Sequence, residues 1–232
     1  MTITQLWTAF TEAVIAFVAT NIDDILILVL FFSQVNANFR RRHIVFGQYL
    51  GFTAIIIASL PGFFGGLFIP REWIGFLGLL PIAIGLKLLV NKEQETTQVQ
   101  TVTTDFQPSS HSNPILSFLL SILHAQTYQV AAVTLANGGD NISIYIPLFA
   151  GKSFASLGVT LSVFFVLVGV WCAVAYLLAR QRAIAFGRAS LNANILSRYG
   201  RAVVPFVLIC LGLFIMYERG TFSLILHSYR GN

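Results

Sequence analysis

The chain has 232 residues, of which 56% are apolar and only 10% charged, where soluble domains average about 45–50% and about 25%. That excludes a soluble single domain and points to an all-α polytopic membrane protein, counted in spans of about 20 residues. Fourteen Lys and Arg against nine Asp and Glu leave a net charge of +5, which in a soluble protein would suggest nucleic acid; here the placement of the charges argues against that partner.

In chain order, apolar runs cover 6–33, 44–69, 73–90, 114–149, 156–179 and 202–217, and six spans are expected. The N-terminal MTITQLWTAF lacks a basic region and its apolar run carries acids, so the first span is expected to stay in the protein rather than leave as a signal peptide. The second and third runs are divided by Ile69-Pro70-Arg71-Glu72, where a proline and two charges stop a lipid-facing helix. Asn91–Asn113, rich in Thr, Gln and Ser, reads as a polar linker.

The linker separates three spans (1–90) from three (114–232), and the halves repeat. Ala19-Thr20-Asn21-Ile22-Asp23-Asp24-Ile25 aligns with Ala136-Asn137-Gly138-Gly139-Asp140-Asn141-Ile142 at an offset of 117, and Glu12 then meets Gln129. An odd number of spans per half requires the second to cross with opposite polarity, so the expected fold is six transmembrane helices in two inverted three-helix repeats. The offset places the start of the fourth span near Leu123 and leaves Pro114–Ile122 as an interfacial lead-in. Ten basic residues (Arg40, Arg41, Arg42, Lys87, Lys92, Arg180, Arg182, Arg188, Arg198 and Arg201) flank one membrane face, against Arg71, Lys152, Arg219 and Arg230 on the other. Since cytoplasmic loops collect Lys and Arg, both termini are expected outside.

Four of the nine acids fall inside spans: Glu12, Asp23, Asp24 and Asp140. A carboxylate at the bilayer centre costs about 2.5–3.5 kcal/mol on insertion scales, so each needs a partner, a cavity or a substrate. Asp23 and Asp24 lie near the midpoint of the first span and Asp140 at the equivalent depth of the fourth. Gly138 and Gly139 cost about 1 kcal/mol each in a helix interior, so unwinding is expected there, freeing the carbonyls of 137–139 as ligands. Asn21, Asn141 and Thr20 add neutral oxygens, and no basic side chain is expected nearby: by charge, this is a cation site. Neighbouring helical residues diverge by about 100°, so Asp23 and Asp24 share one ion only if the first span is also distorted; otherwise one of them pairs across the repeat with Asn141. The plainer reading of these acids is a hydrogen-bond cluster joining the halves. Glu12, about three turns before Asp23, suits an outer vestibule, and His124 is either a structural histidine or a proton relay. Gly47-Gln48-Tyr49-Leu50-Gly51 is a GxxxG packing face. Cys172 and Cys210, both in apolar runs, form no CxxC motif.

The chain resembles the CadD-type cadmium-resistance transporters of the lysine-exporter superfamily. The resemblance rests on an ordered set: Ala19-Thr20 followed by Asp23, Gly47-Gln48-Tyr49-Leu50-Gly51, Pro81-Ile82 with Gly85 and Lys87, Asp140-Asn141-Ile142 with Pro147, and Gly212-Leu213 leading to Glu218 and Gly220-Thr221. It implies a multi-span efflux protein for divalent cations in a bacterial cytoplasmic membrane. Where the compared relative has a cysteine before its Gly-x-Asp-Asn motif, this chain has Asn137, and Asp24 is an additional acid; an all-oxygen set suits manganese, magnesium or calcium as well as a cadmium-like ion. The expected function is export of a divalent cation by proton antiport, with the cation as substrate and no cofactor or enzymatic activity. Membrane lipid is the expected partner, and the oligomeric state stays open. The alternatives are an exporter of small organic cations or amino acids, and a thiol-disulfide electron carrier using Cys172 and Cys210.

Overall fold

In lipid every backbone N–H and C=O must be satisfied within its own segment, so long apolar runs become helices. A computed structural model describes residues 3–90, 125–184 and 189–221, and among these every regular element is helical. In order they are α1 (Ile3–Asn21), α2 (Asp24–Ser33), α3 (Arg41–Gly66), α4 (Arg71–Ile74), a 3₁₀ turn (Gly75–Gly78), α5 (Leu79–Val90), α6 (Ala125–Asn137), α7 (Asn141–Phe149), α8 (Phe154–Ile184) and α9 (Ala189–Glu218). Three segments are long and apolar enough to cross a membrane: α1, α3 and Phe154–Gln181 of α8. Shorter apolar helices cover Asp24–Ser33, Gly75–Val90 and Val203–Glu218.

Two sequence expectations change in detail. The first apolar run is not one helix but α1 and α2, separated at Ile22 and Asp23, whereas the break expected at the glycines of the fourth run is present, at 138–140 between α6 and α7. The last helix begins at Ala189, well before the apolar run at 202–217. Hydropathy marks what lipid can cover, whereas the polar segment before it is helical without being apolar. The linker at 91–113, the lead-in at 114–122 and His124 lie outside the described residues.

Each broken pair packs along a long helix from the other half of the chain. α6 and α7 lie along α3, α1 and α2 lie along α8, and α5 lies along α9. Exchanging the halves maps this pattern onto itself. Lipid tails supply no hydrophobic drive between helices, so close backbone approach through small residues has to hold them. A Cβ on Gly47 would fall 2.6 Å from the Thr127 carbonyl oxygen, and one on Gly51 2.7 Å from that of Ala131, so the GxxxG face packs on α6. A Cβ on Gly85 would fall 2.7 Å from the Pro205 carbonyl oxygen, which brings the proline-bearing third helices of the two halves together. The core fills with aromatic rings where α1, α3, α7 and α8 meet: Phe17, Phe52, Tyr145, Phe149 and Phe164, mostly edge-on or tilted. Phe46, Ile57, Val166, Leu177 and Phe206 point outward and are more than half exposed, an arrangement costly in water and expected against lipid.

Candidate cation site at the helix breaks

The breaks place short-range chemistry where a continuous helix would deny it. At the first, the helix stops at Asn21, and α2 restarts at Asp24 with Leu26 N donating to Asp23 O at 2.9 Å. At the second, Gly138 N still donates to Thr134 O at 2.9 Å, and Asn141 N turns back to Gly138 O at 3.2 Å. A Cβ on Gly138 would sit 2.5 Å from Ile55 Cδ1, so the break lies close against α3. The distortion in the first span lets two consecutive acids reach one partner: Asn137 Nδ2 donates to Asp24 Oδ1 at 2.7 Å and to Asp23 Oδ2 at 3.3 Å.

Asp24 is buried and Asp23 exposed. The second oxygen of Asp24 accepts from Gln48 Nε2 at 3.1 Å, and Gln48 Oε1 accepts from Thr134 Oγ1 at 2.6 Å. The carboxylate, which only accepts, fixes which way the glutamine amide faces, and the Thr134 hydroxyl holds its other end. Asp140 is exposed and close enough to Asp23 and Asp24 to interact with both electrostatically. The amide that bridges the repeat to these acids is Asn137 rather than Asn141, which is buried at the start of α7. Among the described residues no group of three or more His, Cys, Asp or Glu is arranged to hold a metal. Amide hydrogens, not a ready-made carboxylate cage, occupy the space between Asp23 and Asp24.

A neutral layer adjoins the acids. Asn21 Nδ2 lies 2.8 Å from both Thr20 Oγ1 and Tyr145 Oη and 2.9 Å from Phe17 O, while Thr20 Oγ1 is 2.8 Å from Tyr145 Oη. Trp171 Nε1 donates to Asn21 O at 2.6 Å. Asn21 Oδ1, by contrast, is buried without a hydrogen-bond partner, at a cost of about 1–3 kcal/mol unless a donor or cation meets it.

Gln48, Thr134, Tyr145 and Trp171 are the site residues that sequence reasoning missed. Two of them carry a usable signal: Gln48 sits inside the GxxxG face that must meet α6, and Tyr145 follows Asn141 by four residues, on the same face of α7. Glu12 is buried against Lys152, a residue that the sequence assigns to an outer loop, and so lines no open vestibule. Gln129 is half-buried on α6, as is Gly139 at the break. Cys172 is buried on α8 and packs in the cluster of Ile25, Leu28 and Ile44, whereas Cys210 is exposed on α9; both are free.

The Thr134 hydroxyl provides a test of this shell. Thr134→Val keeps the shape and removes the hydroxyl that holds Gln48 against Asp24. Removal of such an outer partner typically costs about 10-fold or more in metal affinity, and that is the expected loss in apparent affinity, at unchanged abundance, in a cation-uptake titration.

Apolar helices around an acidic, amide-lined break are an arrangement expected of a membrane transport protein. The family model described as cadmium resistance transporter matches residues 17–228, and the chain belongs to that family. No curated protein matches the chain, and no solved structure does.

Proposed function

We propose that the protein is a secondary transporter that exports a divalent metal cation from the cytoplasm by proton antiport, through a site formed where its two broken helices meet. The observation that carries this reading is Asp24, buried between amide donors from α3 and α6 and within reach of Asp23 and Asp140. An acid in such a position is a substrate site by default. Asp23, Asp24 and Asp140 act as the principal ligands. When the cation enters, the Asn137 amide rotates so that its oxygen replaces its nitrogen, and Asn141, Thr20, the Asn21 Oδ1 atom and the carbonyls of 137–139 complete the shell. In the metal-free site protons neutralise the carboxylates, and an entering divalent cation displaces them from the same oxygens; that competition is sufficient for exchange. The donors are oxygens, so manganese or calcium is accepted beside cadmium.

The exchange of packing partners between halves supports six spans arranged as an inverted repeat, with the site at the repeat interface. The excess of basic residues on one side supports an orientation with both termini outside, in the cytoplasmic membrane that an exporter from the cytoplasm would occupy. The test is uptake into inverted membrane vesicles across a series of divalent cations, with and without a proton gradient. Wild type accumulates one or more of them when the lumen is acidic. Asp140→Asn, at normal abundance, loses about 10-fold or more; if it transports as wild type does, or if no divalent cation moves, the reading is wrong.

A further inference from the structure

A second set of charges lies away from the central acids. Lys152 Nζ forms an ion pair with Glu12 Oε2, and both residues are buried, at 6% and 5% exposure. Lys152 belongs to the turn between α7 and α8, while Glu12 is on α1, so the pair ties the first half of the chain to the second. The charged groups placed against it come from the end of α9. Glu218 faces Glu12 closely enough to interact with it by charge and by a side-chain hydrogen bond. Arg219 lies 4.0 Å from Glu218 and donates from Nη1 to Gly151 O, next to Lys152, at 2.7 Å. Two positive and two negative groups from three elements therefore meet at one end of the molecule.

That end is closed by backbone. A Cβ on Gly66 would fall 2.4 Å from Gly151 N, and one on Gly75 would collide with the Thr221 hydroxyl at 1.7 Å. The opposite end, carrying the basic loop before α3, holds a cavity of about 300 Å³ lined by Arg40, Arg42, His43 and Gln126. A buried ion pair gains little over well-packed apolar side chains, so stability alone gives no reason for a lysine and a glutamate in this layer. What the pair does supply is a contact that one proton can undo. A protonated Glu12 carboxyl carries no charge to hold Lys152.

We propose that Glu12 is a proton-binding site separate from the central acids, and that its protonation releases Lys152 and opens the end of the transport path opposite the basic loops. The proposal rests on the transporter reading above and assigns to it the gate through which protons enter.

The test compares wild type with the double variant Glu12→Gln/Lys152→Met, which leaves no unpaired buried charge, in inverted vesicles with cadmium as the probe. Two quantities are read: cadmium–cadmium exchange without a pH gradient, and the dependence of uptake on lumenal pH. The double variant is expected to keep exchange within about twofold of wild type and to lose most of the pH dependence. The reversed pair Glu12→Lys/Lys152→Glu, which retains one carboxylate and one ammonium, is expected to keep it. A double variant whose uptake follows lumenal pH as in wild type overturns the proposal, as does one present at normal abundance that cannot exchange cadmium. Absence of exchange in wild type sinks the transporter reading itself, and the gate with it.

Discussion

Replacing Asp24 with Asn is expected to lower metal transport by about 100-fold or more, equivalent to roughly 2.7 kcal/mol, while Asp23→Asn costs about 10-fold. The difference follows from surroundings rather than chemistry. Asp24 is buried and both its oxygens accept from amide nitrogens, at 2.7 and 3.1 Å. An asparagine at 24 turns one of those oxygens into a donor facing Asn137 or Gln48. To receive it, Asn137 or Gln48 must turn its amide over and reverse its bonds to its other partners, and any mismatch of buried polar groups that remains costs about 1–3 kcal/mol before any loss of cation attraction is counted. Asp23 accepts a single, longer bond at 3.3 Å and is not enclosed between two amides, so the substitution disturbs less. Uptake in inverted vesicles, normalised to protein present in the membrane, gives the comparison. Retention of more than a tenth of wild-type uptake by Asp24→Asn would remove Asp24 as a principal ligand.

The smallest possible change at Gly62 is expected to be among the most damaging. A Cβ there would sit 2.3 Å from the carbonyl oxygen of Ile146 and 2.8 Å from its C and Cα atoms. All three are backbone atoms of α7, so no side chain can swing aside; α3 and α7 must part. Overpacking in a tight interior typically costs about 1–3 kcal/mol, occasionally more, and here the clash falls on the face of α3 that holds the second broken helix in place. Gly62→Ala should sharply reduce folded protein in the membrane and lower the melting temperature in detergent. Gly65→Ala, three residues along the same helix with nothing within 4 Å of its Cβ, should be silent or slightly stabilising, because alanine favours helix by up to about 1 kcal/mol. Equal behaviour of the two variants would contradict this account of how α3 and α7 meet.

Features that repeat along the chain were legible in the sequence. The glycines at 138 and 139 foretold the break after α6, and the GxxxG face at Gly47 and Gly51 foretold a close helix approach, which α6 makes. The break after Asn21 was legible only as a condition, because Ile22 and Asp23 are not helix breakers of the glycine kind; α1 and α2 on either side of it pack against α8. Partner identity was less accessible. Asn137 and Asn141 are both amides near the same acids, and only the turn between them decides which one arrives. Lys152 looked like one more loop residue until the α7–α8 turn folded it inward onto Glu12. Thr134 shows no periodic signal, since single polar residues in spans are common and its meaning lies in a bond to Gln48 on another helix.

The cross-packing of the halves bears on how the protein is made. The chain emerges N-terminus first, yet the long helix that supports α1 and α2 begins at Phe154, after α7. Until then Asp23 and Asp24 sit on a broken helix whose scaffold does not exist, and Asn137, their shared amide, is still unmade. Insertion of the first three helices therefore cannot be the step at which the acids find their final surroundings. They are set only when α8 arrives, and the same late event places Lys152, at the turn leading into α8, beside Glu12. Synthesis order thus keeps the central acids and the Glu12 pair unassembled until the second half is in the membrane, so that a truncated chain holds no finished path for ions.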